Sequence, residues 1–196
     1  YAVLLRDWFA DVEIFREENV PLQTEDTKLG QEYSELCGAM MVDFDGEKRT
    51  MPQMGMYQQD QDRSVREASW RAVAERRLED RREIDAIFDK MVVNRNQTAI
   101  NAGFEEYRGY MFAVKHRFDY TPEDCLAFHE AIEKECMPIV RKLAEERKQA
   151  LGLDTLRPWD LAVDPHGHAG LRPFDSADDL IEKTSKLFHR MDESLG

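Results

Sequence analysis

The residues most capable of chemistry are the five histidines and the carboxylates beside them. His129-Glu130-Ala131-Ile132-Glu133 begins like the His-Glu-x-x-His pentapeptide of zinc hydrolases. In that motif positions i and i+4 share a helical face, so two imidazoles meet one metal and the glutamate sits beside its water. Glu133 stands where the second imidazole is required, and no complete pentapeptide of that kind occurs in the 196 residues. His166-Gly167-His168, with Asp164 nearby, forms the second cluster. Two imidazoles on a loop take up adventitious metal, but a working site wants three or four ligands with supporting hydrogen bonds. His116 and His189 stand alone on helical patterns and read as surface or capping groups. No serine sits in a Gly-x-Ser-x-Gly elbow, and no glycine-rich loop precedes a basic helix, so acyl-transfer and nucleotide-binding chemistries have no support. The expectation is no catalytic and no metal-binding residue in this chain.

Two further groups could shape a binding surface. Leu156-Arg157-Pro158-Trp159-Asp160 places an arginine and an aspartate around an aromatic on a proline-stiffened loop. Such a rigid loop suits a binding wall, and an Arg157–Asp160 ion pair holding the loop is the competing account. Phe104, Tyr107, Tyr110, Phe112, Phe118 and Tyr120 could line a peptide groove, but aromatics also cluster where a helix turns and packs, and core is the favoured reading. Met51, Met54 and Met56 read as gap-filling core.

These residues need elements to position them, and the composition favours helices. Hydrophobic residues make up 42% and charged residues 34%, enough for a core with wet helix faces. A formal charge of −13 argues against nucleic acid, because phosphate binding needs clustered Lys and Arg. Arg76, Arg77, Arg81 and Arg82 are interleaved with Glu75, Glu79, Asp80 and Glu83 and read as a salt-bridged helix face. Cys37, Cys125 and Cys136 make an odd set without a C-x-x-C pair, so buried free thiols in a reducing compartment are expected. No apolar run approaches the roughly 20 residues of a membrane span.

Apolar residues from Leu4 to Phe15 recur at three and four, predicting a first helix that Pro21 stops. A second helix is expected over 27–36, with Gly38 as its punctuation. Asp45-Gly46 between short strands predicts a hairpin over about residues 40–51, because both turn residues tolerate positive φ. Ser64-Val65-Arg66-Glu67 reads as a capping box opening a helix that runs to Gly103, about 60 Å long, with a kink near Asp80. Thr121-Pro122-Glu123-Asp124 opens another, kinked by Pro138 and ended by Gly152. A loop follows over 153–173, and Ser176 caps a last helix. The fold class is mainly α, with long amphipathic helices and one small hairpin.

The three blocks Asn101-Ala102-Gly103-Phe104-Glu105-Glu106-Tyr107-Arg108-Gly109-Tyr110, Arg117-Phe118-Asp119-Tyr120-Thr121-Pro122-Glu123-Asp124 and Leu156-Arg157-Pro158-Trp159-Asp160-Leu161, in that order, resemble the oligoendopeptidase F branch of the thimet-oligopeptidase-like zinc peptidases. Asp7 to Gln23, including Phe15 to Gln23, and Asp62 to Ala68 resemble the same family's upstream helix with its exit and the start of its long helix. The resemblance implies a larger helical peptidase shell around a channel that admits oligopeptides, with zinc on a downstream His-Glu-x-x-His helix. By that reading residues 1–196 are a non-catalytic, inactive portion upstream of the zinc helix, divided into 1–60 with the hairpin and 61–196 with the long helices. Both chain ends look cut, which fits that expectation. The chain would bind no cofactor, although the parent enzyme would hold zinc. Arg157, Trp159, Asp160, Tyr107 and Tyr110 are the candidate channel wall. The partner would be an oligopeptide, with no nucleic acid and no membrane, self-association through surface exposed by truncation, and a cytoplasmic setting. The alternatives are an acidic helical module that binds a protein or peptide without catalysis, and a degenerate member that binds peptides without cutting them.

Overall fold

The computed structural model of the chain describes residues 1–168, 171 and 173–195. Part of the 153–173 loop and Gly196 lie outside the described residues. The elements run in chain order as α1 (Ala2–Ile14), α2 (Asn19–Ala39), β1 (Met41–Phe44), β2 (Glu47–Thr50), α3 (Met51–Met54), α4 (Arg63–Glu79), α5 (Arg81–Asn101), α6 (Tyr107–Val114), α7 (Pro122–Ala131), α8 (Met137–Ala150) and α9 (Ala177–Met191). The architecture is mainly α with one hairpin, as the sequence indicates.

Local chemistry sets most boundaries. The hairpin pairs Met41 with Thr50 and Phe44 with Glu47, and its turn places Asp45 at φ 56° and Gly46 at φ 74°. Both central residues of such a two-residue turn must be left-handed. Thr121 caps α7 by accepting from the Asp124 N–H, while Asp124 reaches back to the Thr121 N–H at 2.8 Å. Ser176 accepts from the Asp179 N–H at 3.1 Å and so opens α9. The helix ends at Asn101 and Ala150 are closed by Gly103 at φ 88° and Gly152 at φ 64°. In each, the N–H of the residue after the glycine returns to a carbonyl five positions back: Phe104 to Ala99 and Leu153 to Lys148, both at 3.0 Å. This is the Schellman arrangement, which requires a left-handed residue where glycine costs least.

Four expectations need correction. Pro21 does not stop a helix; it lies in the first turn of α2, where its missing N–H has no intrahelical acceptor to lose. Helix α2 is therefore longer than predicted, and Gly38 lies inside its last turn. The cap of α4 is Asp62, not Ser64: its carboxylate accepts from the Ser64 N–H at 2.8 Å and the Ser64 hydroxyl at 2.7 Å. Those bonds hold the Asp62 carboxyl below the usual carboxylate range, and an ionised acceptor suits a helix N-terminus better than a hydroxyl. The kink expected near Asp80 falls there but is a full break, so the single spine is two helices: Asp80 leaves helical geometry (φ −91°, ψ 7°) and accepts from Arg76 Nη1 at 2.7 Å. Finally, the cysteines are unpaired but not buried: Cys136 is exposed and Cys37 and Cys125 are half-buried.

Pro138 acts one turn earlier than a simple kink. Residues Ile132–Cys136 form a π-helical turn, in which the Met137 N–H reaches the Ile132 carbonyl. A proline two residues into α8 offers no N–H, and one widened turn absorbs the misfit.

The best-packed interface joins α2 to α5. Leu29 is 1% exposed at its centre. Polar side chains bridge the rest: Asn19 Nδ2 donates to the Thr98 carbonyl at 3.0 Å, Asn94 Nδ2 to the Leu22 carbonyl at 2.7 Å, and Asn101 Nδ2 to Asn19 Oδ1 at 2.9 Å. A second cluster gathers Ala99, Ala102 and Tyr110, with Ile14, Phe104 and Tyr107 packed against it. The apolar stripes of α1, α7, α8 and α9 face outward instead, with Trp8, Phe128, Leu143 and Leu187 all more than half exposed. Leu29→Ala should lower the unfolding free energy in urea by about 2–4 kcal/mol, whereas Leu5→Ala, at an exposed position, should change it by less than about 1 kcal/mol.

Candidate functional site

Asp160 is the most thoroughly engaged polar side chain of the candidate set. Pro158 stiffens a single 3-10 turn over Pro158–Asp160, and the Arg157 N–H closes it by donating to Asp160 Oδ2 at 2.9 Å. Arg63, in the first turn of α4, donates in a fork: Nε to Oδ1 and Nη2 to Oδ2, each at 2.9 Å. Arg66, one turn on, adds Nη2 to Oδ1 at 3.2 Å. Arg66 is itself buried and fully employed, donating from Nε to the Trp159 carbonyl at 2.9 Å and from Nη1 to the Asp60 and Gln61 carbonyls. Planar guanidinium groups suit this task because the fork matches a carboxylate. The Trp159 ring completes the node, 5.4 Å from Trp70 between centroids and faced by the guanidinium of Arg71 at 5.1 Å.

Burial by itself pushes the Asp160 carboxyl up. The bonds from Arg63, the Arg157 N–H and Arg66 outweigh it and hold the group below the usual carboxylate range. The Arg157–Asp160 ion pair suggested by the sequence is therefore corrected: Arg157 contributes its backbone, and the charge partners are Arg63 and Arg66. Those arginines were visible only as a pair three apart at a helix start, which shows a shared face but not its distant partner.

Tyr107 and Tyr110 lie in a different cluster. Glu106 caps α6 by accepting from the Gly109 N–H at 2.9 Å and the Arg108 N–H at 3.2 Å. The two tyrosines line a cavity of about 280 Å³ shared with Gln23, Asp26, Arg95 and Thr98. Gln23 Nε2 donates to the Tyr110 hydroxyl at 3.4 Å. Arg95 forks onto Asp26 at 2.8 and 3.2 Å and lies 5.8 Å from the Tyr107 ring. Burial pushes the Tyr107 phenol up, with Arg95 pulling the other way. Its hydroxyl is thus a neutral donor at neutral pH, able to bind a polar group but not to act as a base.

The five candidate wall residues are not brought together. Trp159 and Asp160, at 7% and 0% exposed, are packed against α4. Tyr110 is buried but borders the cavity, Tyr107 is half-buried, and Arg157 is exposed. Phe104 and Tyr110 meet edge-on at 5.7 Å in the core, whereas Phe118 and Tyr120 remain exposed. Of the three methionines only Met54 is fully buried; Met56 is 61% exposed.

Among the described residues no three His, Cys, Asp or Glu side chains are grouped to hold a metal ion. His129 and Glu133 are exposed on α7 and the π turn. Asp164 is occupied by its own loop, accepting from the His166 N–H at 2.7 Å and meeting His168 Nδ1 at 2.9 Å. The residues present do not fit a zinc site. Among them, too, no helix is long and apolar enough to cross a membrane.

Comparison with known proteins decides the family. The sequence profile of peptidase family M3 matches residues 56–185, more than half of the chain. The chain belongs to peptidase family M3. PZ peptidase A, solved with an inhibitor, is 26% identical with a TM-score of 0.91 over 99% of this chain and 34% of that one. A protein assigned as an oligoendopeptidase F from Bacillus anthracis strain Ames is 25% identical, with a TM-score of 0.86 over 96% of this chain and 34% of that one. Oligoendopeptidase F from Enterococcus faecium, at 18% identity and a TM-score of 0.61 over 88% and 35%, bears on the fold alone. The M3 chain described here spans about a third of the length of the solved structures it matches. No curated protein matches it significantly.

Asp160→Asn should cost about 3 kcal/mol, the lower end for breaking a buried pair, since Arg63 keeps water access. The pH dependence has a definite sign. A depressed carboxyl stabilises the fold above its unfolded titration near about pH 4, and that contribution fades as pH falls through the folded one. Urea titrations at several pH values should show this acid-labile component in the wild type and not in Asp160→Asn.

Proposed function

We propose that this chain is scaffold of a zinc metallo-oligopeptidase and carries no part of the catalytic centre. The carrying observation is the superposition of 99% of the chain on about a third of PZ peptidase A, while no three His, Cys, Asp or Glu side chains among the described residues are grouped to hold a metal ion. The parent enzyme would hydrolyse peptide bonds of short peptides in a channel, with zinc held by residues outside this chain. Of the candidate wall residues, Arg157 and Tyr107 keep accessible atoms for that role. The charge of −13 supports a peptide substrate over nucleic acid. The unpaired thiols support a reducing, cytoplasmic setting.

One observation also favours a second reading, an acidic helical module that binds a protein or peptide without catalysis. The outward apolar faces of α1, α7, α8 and α9 would suit a partner or self-association as well as the remainder of a peptidase.

Both readings are tested on a quenched fluorescent oligopeptide, with zinc measured by metal analysis after dialysis. The 196-residue chain should neither cleave nor retain stoichiometric zinc. The longer natural polypeptide should cleave and lose activity to a chelator. Cleavage by the chain alone that survives chelation overturns the proposal, and a longer polypeptide that binds the peptide uncleaved favours the binding module.

A further inference from the structure

Helix α6 ends in a third Schellman turn, and this one lacks a glycine. The His116 N–H donates to the Ala113 carbonyl and the Arg117 N–H to the Phe112 carbonyl, both at 2.9 Å. The left-handed residue between them is His116 itself, at φ 51°. The equivalent positions after α5 and α8 are Gly103 and Gly152. A non-glycine residue there carries backbone strain of the kind that persists where the surroundings enforce it. The surroundings here are carboxylates of α1. His116 Nε2 lies 2.8 Å from Asp11 Oδ1 and Nδ1 lies 4.0 Å from Asp7 Oδ2. Asp7 and Asp11 are one helical turn apart and so flank the ring from a single face of α1. The other oxygen of Asp7, Oδ1, is buried without a hydrogen-bond partner. The ring is stacked on Phe118 at 5.9 Å.

We infer that Asp7, Asp11 and His116 form a protonation-controlled latch that fixes α1 to the end of α6. A neutral imidazole has one N–H and donates to one carboxylate at most; the imidazolium has two and serves both. Arg6 on α1 pairs with Asp119 of the connector after α6 at 3.2 Å, lies 3.6 Å from Asp7 Oδ1 and sits over the Phe118 ring at 4.7 Å, and Arg117 is turned onto the Phe112 ring at 5.4 Å. Lys115 is the remaining neighbouring charge along the chain. Among the described residues no carboxylate of α5, which packs on α6, is within ion-pair reach of the imidazole. The latch matters because α1 has no fully buried residue and docks on α6 as its main neighbour, with Ile14 packed against the Tyr110 cluster.

The test is hydrogen exchange of α1 amides in the intact protein between about pH 8 and about pH 6, corrected for intrinsic rates, across the histidine range. Protection of α1 should rise about three- to fivefold as pH falls, the size of a half-exposed ion pair. His116→Gly relieves the backbone strain and so keeps the turn; it should abolish the pH response, and Asp11→Asn should reduce it. A wild-type α1 with pH-independent protection overturns the latch, as does His116→Gly with an unchanged response.

Discussion

The described structure depends most on a single buried carboxylate. Asp160 accepts from two arginines of α4 and from the backbone of its own turn, and is wholly enclosed. Removing one charge from water is costly, and here several charge-assisted bonds in good geometry outweigh that cost. The consequence is architectural. The α7–α8 arm makes no extensive contact with the other helices. Besides its chain connection to α6, it is tied back through the segment that follows it, by Arg147 Nη1 donating to the buried Val163 carbonyl at 2.6 Å and by the Asp160 node. Without the carboxylate, Arg66 would be a buried cation facing carbonyls alone.

A similar economy of apolar packing runs through the rest of the chain. The α2–α5 interface is stitched by Asn19, Asn94 and Asn101 onto backbone carbonyls and onto each other, with Arg95 on Asp26 at its edge. Polar bridges of this kind fix register, since a shifted helix would leave each buried amide unpaired. Much of the apolar capacity is instead displayed on α1, α7, α8 and α9. That distribution accords with a chain that spans about a third of the M3 peptidase structures it matches.

Features written in short-range chemistry were legible in the sequence. The Asp45-Gly46 turn, the Thr121 and Ser176 caps, and the glycine stops at Gly103 and Gly152 each depend on a few adjacent residues. Pro21 misled because the same ring that breaks a helix interior is welcome in a first turn, and only the start at Asn19 tells the cases apart. Helical periodicity in α8 announces an apolar stripe but not what covers it, and Leu143 on that stripe is exposed. Asp160 was picked out for its charge beside an aromatic, but its partners lie nearly a hundred residues upstream and no local pattern names them. His116 was read as a surface or capping group, and it does close α6, but its left-handed backbone and its two α1 carboxylates appear only in three dimensions.

We propose that this M3-family chain is scaffold for a zinc centre held outside its described residues. The most direct measurement is the nucleotide sequence of the source gene beyond the codon for Gly196. The account predicts a His-Glu-x-x-His helix in the same reading frame, downstream of the α9 coding region. A stop codon there, or a continuing frame without that pentapeptide, would contradict it.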